Sequence, residues 1–189
     1  MNFKLKKLML INILFLISCN SYQIIQNNPI IESYIYLTDQ KIQFTLPSNW
    51  LFYYSSKKYF QFVAKNPNNL YGPILEYRGL NNTTQTQKER DLYAEGWYKA
   101  IELNFPEWEY KEKGYKEFNY NNNKIYTYHF IGTFLDGKVK MKKLGYLRFY
   151  KDKVHAIYYT TRDDNFNQFF ELFKEIDQKI IYEPYIPPY

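Results

Sequence analysis

The chain predicts an α+β domain, an antiparallel β-sheet flanked by helices. Three observations predict it. First, strand-like segments follow one another across very short turns, at Asn121-Asn122-Asn123, Asp136-Gly137 and Lys151-Asp152-Lys153. Strands joined so tightly run antiparallel. Second, two segments carry apolar residues at steps of three and four, the spacing of a helix with one buried face. Third, some strands are apolar on both faces. In "VHAIYYTT", Val154, Ala156 and Tyr158 lie on one side and Ile157 and Tyr159 on the other. A sheet with one wet face would alternate cleanly, so this one is covered on both sides.

The elements follow in chain order. Lys4, Lys6 and Lys7 make a positive head, and Leu8 to Ile17 is apolar apart from Asn12. As a helix that run is about 15 Å long. A bilayer core of roughly 30 Å is too thick for it, so the segment reads as an export signal. It ends in Leu16-Ile17-Ser18-Cys19, which resembles the lipobox of bacterial lipoproteins: an aliphatic residue, a tolerant position, a small residue and the acceptor cysteine. The resemblance implies cleavage after residue 18 and lipid attachment at Cys19. An ordinary cleaved signal and an uncleaved anchor are the alternatives. A lone cysteine is more commonly a small buried hydrophobe, but Cys19 sits at the edge of a signal rather than inside a patterned element. Acyl chains contribute about 0.8 kcal/mol per buried methylene, and a second chain makes anchoring stable. Membrane and leaflet stay open. The lack of any other cysteine fits an exported protein without disulfides.

Residues 19–40 read as a lipidated tether, polar and Asn-rich through Pro29. "IIESYIYLTD" is apolar enough to form a strand or to pack on the domain, which is placed at 41–182. In "KIQFTLPSNW" Ile42, Phe44 and Leu46 alternate with polar residues, and Pro47-Ser48-Asn49 stops the strand. "YFQFVAK" and "PILEYRGL" are further strands. A helix is expected from Gln87 to Asn104, with Tyr93, Trp97, Ala100, Ile101 and Asn104 on its buried stripe; Pro106 prevents its continuation. Gly96 weakens such a helix, which suggests close packing against the sheet. "EWEYKEKGYKEFNY", "KIYTYHFIGTFL", "KVKMKKLGYLRFY" and "VHAIYYTT" form a meander. A second helix runs from Asp164 to about Lys179, with Asp163 or Asp164 as N-cap. Its stripe is Phe166, Phe169, Phe170, Phe173, Ile176 and Ile180, expected to face the core. A short strand and a proline-rich tail, 183–189, close the chain. The tail reads as loose, with docking as the alternative.

This order resembles the PsbP-like superfamily, which includes extrinsic proteins of photosystem II, a Ran-binding nuclear import factor and DcrB-like bacterial lipoproteins. "FTLPSNW" is similar to the family phrase Phe-x-x-Pro-x-x-Trp. "GYLRFYKDKVHAIYYTTRDDNFNQFFELFKEI" resembles the strand–turn–strand–helix end of such domains. The likeness spans about Lys41 to Tyr182. It implies an α/β/α sandwich and a binding or assembly role rather than catalysis. Metal ligands of photosynthetic members have no matching motif here.

The chemistry in the sequence is sparse. The formal charge is +6, half of it from Lys4, Lys6 and Lys7. That mild excess gives no case for nucleic acid, which needs clustered cations on one face. Aromatics make up 21% of the chain, 22 of them tyrosines. Strand positions and an A/T-biased codon usage account for them more simply than a tyrosine-rich binding surface. The two histidines, His129 and His155, both lie in strands. They would make a metal site only if those strands were neighbours in register, with a carboxylate such as Asp152 or Glu117. Glu107, Glu109, Glu112 and Glu117 alternate with Lys111, Lys113 and Lys116, as on a solvated strand with cross-strand pairs. No nucleophile stands in a recognisable setting and no glycine-rich phosphate loop occurs. No catalytic residue, metal or cofactor is expected. The expectation is a membrane-anchored, non-catalytic binding or assembly lipoprotein of the cell envelope, with a protein or glycan partner. The alternatives are a carrier of an apolar ligand, in a cavity lined by the Phe166–Ile176 stripe, and a metal-dependent factor using His129 and His155.

Overall fold

The structure, a computed structural model, describes residues 23–24, 32–55 and 61–184. The expected signal, Cys19 and residues 185–189 of the tail lie outside them.

A two-residue strand, Gln23–Ile24 (β1), precedes Glu32–Leu37 (β2) and Ile42–Pro47 (β3). Ile42, Phe44 and Leu46 are all buried, as their alternation predicts. After the Ser48-Asn49 turn the Trp50 N–H donates to the Pro47 carbonyl at 3.0 Å, and the indole is buried. Leu51–Ser55 (β4), Gln61–Lys65 (β5) and Ile74–Asn81 (β6) follow. Helix Gln87–Asn104 (α1) has the predicted span. Glu109–Tyr120 (β7), Asn123–Asp136 (β8), Val139–Tyr150 (β9) and Lys153–Arg162 (β10) are the meander. The β7–β8 turn places Asn121 and Asn122 at φ 46° and 62°, the left-handed pair that a two-residue hairpin loop needs and that asparagine tolerates. A short turn at Asp163–Asn165 leads into Phe166–Gln178 (α2), and Ile181–Tyr182 (β11) ends the fold.

Eight strands form one sheet in the order β1-β4-β5-β6-β10-β9-β8-β7, and three form a second, β11-β3-β2. Every pairing is antiparallel. Helix α1 carries the chain from β6 to β7 at the far edge, and the meander returns to set β10 against β6. One face of the large sheet, with Tyr128, Phe130, Leu147, Phe149, Val154 and Ala156, packs under Ala94, Trp97 and Ile101 of α1. The other face, with Ile125, Leu144, Ile157 and Tyr159, meets Phe166, Phe173 and Ile176 of α2 together with the small sheet. Both faces are covered, and eight successive residues of β10 are buried.

Several details differ from the sequence reading. The second cover is a helix and a three-stranded sheet, because β3 pairs with β11 from the other end of the domain. The fold takes in Glu32–Gln40, read as tether: β2 pairs along β3, and Ile35, Leu37 and Gln40 are buried. The buried stripe of α1 is Arg90, Ala94, Trp97 and Ile101. Ala100 and Asn104 are exposed, at the rim of a cleft, while the Arg90 guanidinium lies 3.8 Å over the Tyr126 ring. Gly96 is exposed, and a Cβ there would meet nothing within 4 Å, so close packing is not its reason. Neither Asp163 nor Asp164 caps α2; Asn165 holds the cap position without a side-chain bond, and Asp164 instead accepts from Arg162 at 2.7 Å. Between the α2 stripe and the large sheet the space is filled, with Phe173 fully buried, its ring 5.0 Å from that of Tyr159, and Phe166 beside it at 6.1 Å; toward β3 the helix keeps a groove of about 280 Å³ lined by Leu46, Leu172 and Ile176.

Candidate binding cleft

The C-terminal half of α1 and the sheet beneath it form a cleft of about 230 Å³. Its apolar walls are Trp97 and Ile101 from the helix, Phe105 just past its end and Tyr158 from β10. Its polar groups are Glu76 and Arg78 from β6 and Lys143 from β9. The strand period of two sets this up. Glu76 and Arg78 point to the same side of β6, while Lys143 shares its side of β9 with Leu147 and Phe149. A lysine in that row is carried under the helix, and its side chain is 3% exposed.

Burial of an ammonium demands partners. Lys143 donates to Glu76 Oε2 at 2.7 Å, and its Nζ lies 4.3 Å from the Phe105 ring centre and 5.0 Å from that of Tyr158. The ring faces favour the cation, but they accept only one kind of contact. Of the three N–H donors an ammonium carries, a single one has a hydrogen-bond acceptor among the described residues. Tyr158 accepts from Trp97 Nε1 at 2.6 Å. Burial pushes its phenol up to about 12, so it keeps its proton at neutral pH. Arg78 is exposed at the rim, and its side chain makes no hydrogen bond or ion pair among the described residues.

The sequence-predicted residues lie elsewhere. His155 is 1% exposed, with Nδ1 2.8 Å from the Tyr77 hydroxyl. Burial, and then the charges of Arg148 and Lys153, lower its pKa to about 3. His129 faces Glu112 of the neighbouring strand at 3.2 Å. The two histidines share a face, but β9 runs between their strands, and buried Arg148 stands opposite His155 in that row. Asp152 sits in the β9–β10 turn near Lys153, and Glu117 holds Lys124 at 3.0 Å and Tyr115 at 2.6 Å. The condition for a two-histidine site is therefore unmet. Among the described residues, no three His, Cys, Asp or Glu side chains stand together as a metal site would need. The charges of β7 are solvated pairs, Lys111 with Glu109 at 2.6 Å among them.

The deepest polar cluster is also outside the cleft. Arg148, 3% exposed, donates to Asp177 Oδ2 at 2.6 Å and to the Tyr182 hydroxyl at 3.1 Å, tying β9 to α2 and β11. Sequence reasoning flagged none of Glu76, Arg78, Lys143 or Arg148. The available signal was phase: Arg148 lies between Tyr146 and Tyr150, and Lys143 shares its side of the strand with Met141 and Leu147.

The architecture has solved counterparts. A solution structure of cyanobacterial PsbP from Synechocystis superimposes with a TM-score of 0.62 over 87% of this chain and 99% of that one, at 11% identity. The chain shares the PsbP fold. A Pseudomonas aeruginosa protein, PA94, matches 82% of the chain and 99% of its own at TM-score 0.50 and 10% identity. LpqN of Mycobacterium tuberculosis, involved in cell envelope biogenesis, matches at 0.45 and 9%, over 88% and 86% of the two chains. No protein-family model matches the chain. None of the curated proteins does either. Among the described residues, no helix is long and apolar enough to cross a membrane.

Proposed function

We propose that this chain is an exported, membrane-anchored bacterial lipoprotein, held by acyl chains on Cys19, with a non-catalytic binding or assembly role in the cell envelope. Its partner is a protein or a glycan, and the α1 cleft is the contact site. The observation that carries the binding half is the set of donors left at the cleft: Lys143 has one hydrogen-bond acceptor for its three N–H groups, and the Arg78 guanidinium has none among the described residues, beside apolar walls. Unmet polar atoms also occur deep in the fold, Arg148 Nε among them, but those are closed off from solvent. The donor set at the cleft grips and orients a ligand. The anchoring half is supported by Leu16-Ile17-Ser18-Cys19 behind a basic head and a short apolar run.

A photo-crosslinking amino acid placed at Ala100, on the cleft rim, tests the reading in intact membranes. One dominant adduct is expected there, reduced by Arg78→Glu and missing from the same probe at Glu171 on the outer face of α2. Identical adduct patterns from both positions would contradict it.

A further inference from the structure

The unmet donors at the cleft say what kind of group fills it. Lys143 has two N–H donors with no hydrogen-bond acceptor, and its ammonium is almost wholly buried. The Tyr158 hydroxyl receives the Trp97 N–H and has no acceptor for its own proton among the described residues. Arg78 adds a guanidinium with no carboxylate partner. Among the described residues lining the cleft Glu76 is the one carboxylate, so two cations meet one anion and the cleft is left one positive charge in excess. A cationic ligand is disfavoured by the same geometry: the ring faces of Phe105 and Tyr158, which would hold an ammonium, already hold that of Lys143.

We propose that the α1 cleft binds a carboxylate carried on a compact apolar body, the carboxylate accepting from Arg78, Lys143 and Tyr158 while the body lies against Trp97, Ile101 and Phe105. A single negative charge balances the excess, and a planar carboxylate matches the paired N–H groups of a guanidinium. The size fits a small group: about 230 Å³ lies below the roughly 300–1,000 Å³ of pockets for drug-sized ligands. The carboxylate comes either from a free small acid or from the acidic end of a larger envelope component. This inference rests on the cleft being the contact site and adds the chemistry it recognises.

The test uses the full chain, purified in detergent and labelled with nitrogen-15. The Trp97 indole N–H resonance reports on the cleft. The probes are phenylacetate, its neutral amide, the matching cation phenethylamine, and the peptide Gly-Gly-Phe with a free or amidated C-terminus. A saturable shift is expected with phenylacetate, at least about tenfold weaker with the amide and the amine. Arg78→Gln, at an exposed position that leaves the fold intact, weakens phenylacetate by about the same factor, and added salt does likewise. Tighter binding of the free-acid peptide than of phenylacetate assigns the carboxylate to a chain terminus; the reverse assigns it to a free acid. Equal binding of acid and amide, preference for the amine, or no saturable shift with any acid would overturn the proposal. In the last case a surviving Ala100 crosslink shows that the cleft is still a contact site, so the two failures are told apart.

Discussion

Arg148 and His155 sit side by side in the row beneath α2, and each makes a demand that an apolar residue would not. Arg148 is charged and nearly dry, and Asp177 is its only counter-ion within bonding distance among the described residues. Removing one partner of such a pair leaves an unpaired buried charge, at a cost of about 3–5 kcal/mol. Asp177→Asn is therefore expected to lower unfolding stability by about that much in urea titration. The double variant Arg148→Met with Asp177→Leu should recover most of the loss, since a well-packed apolar pair replaces a buried ion pair at little cost. His155 is the opposite case, held neutral. Its pKa falls from 6.5 to about 3 through burial, then through repulsion by Arg148 and Lys153. Between those two values the unfolded chain takes up a proton that the folded chain refuses. Stability thus rises with pH across the window and is lost on acidification. Urea midpoints measured from about pH 4 to pH 7 should fall more steeply on acidification for the parent than for His155→Leu. Equal slopes would show that another group controls the loss.

Helix α1 carries the element-scale expectations. Its start is a capping box: Thr86 Oγ1 accepts from the Glu89 N–H at 3.3 Å, and Glu89 Oε2 accepts from the Thr86 N–H at 2.8 Å. The backbone N–H groups of Thr86 and Gln85 hold the Glu89 carboxyl below its ordinary pKa. Thr86→Ala should destabilise by about 1 kcal/mol, read in thermal or urea unfolding. Gly96 points the other way. With open space around its Cβ position, Gly96→Ala should stabilise the protein by up to about 1 kcal/mol, because alanine is the better helix former. A loss would mean that the outer face of α1 is occupied in the assay. What the sequence disclosed tracks the range of the interactions. The span of α1, the asparagine turn and the Asp136-Gly137 hairpin depend on neighbours a few residues apart, and these could be read directly. The burial of Arg90 at the start of α1 involves stacking over Tyr126, a distant strand residue, and this could not.

For the whole molecule, the features that periodicity missed are non-local pairings. β3 joins β11 from the far end of the domain, and β6 joins β10 rather than the strand that follows it. No turn residue announces such neighbours, so the small sheet was unreadable even though its strand β3 was plain. The same holds for the cleft, which three strands and a helix build from Glu76, Lys143, Tyr158 and Trp97. Burial of both sheet faces was readable, because it leaves a mark in every strand: β10 has no polar side to show.

We propose that the domain is carried to a membrane by lipid on Cys19 and acts there by contact. Metabolic labelling of growing cells with radioactive palmitate, comparing the full chain with Cys19→Ser, tests it most directly. The account predicts label in the parent protein and its recovery in the membrane fraction, with both lost in the variant. An unlabelled parent, or equal label in the two, would contradict it.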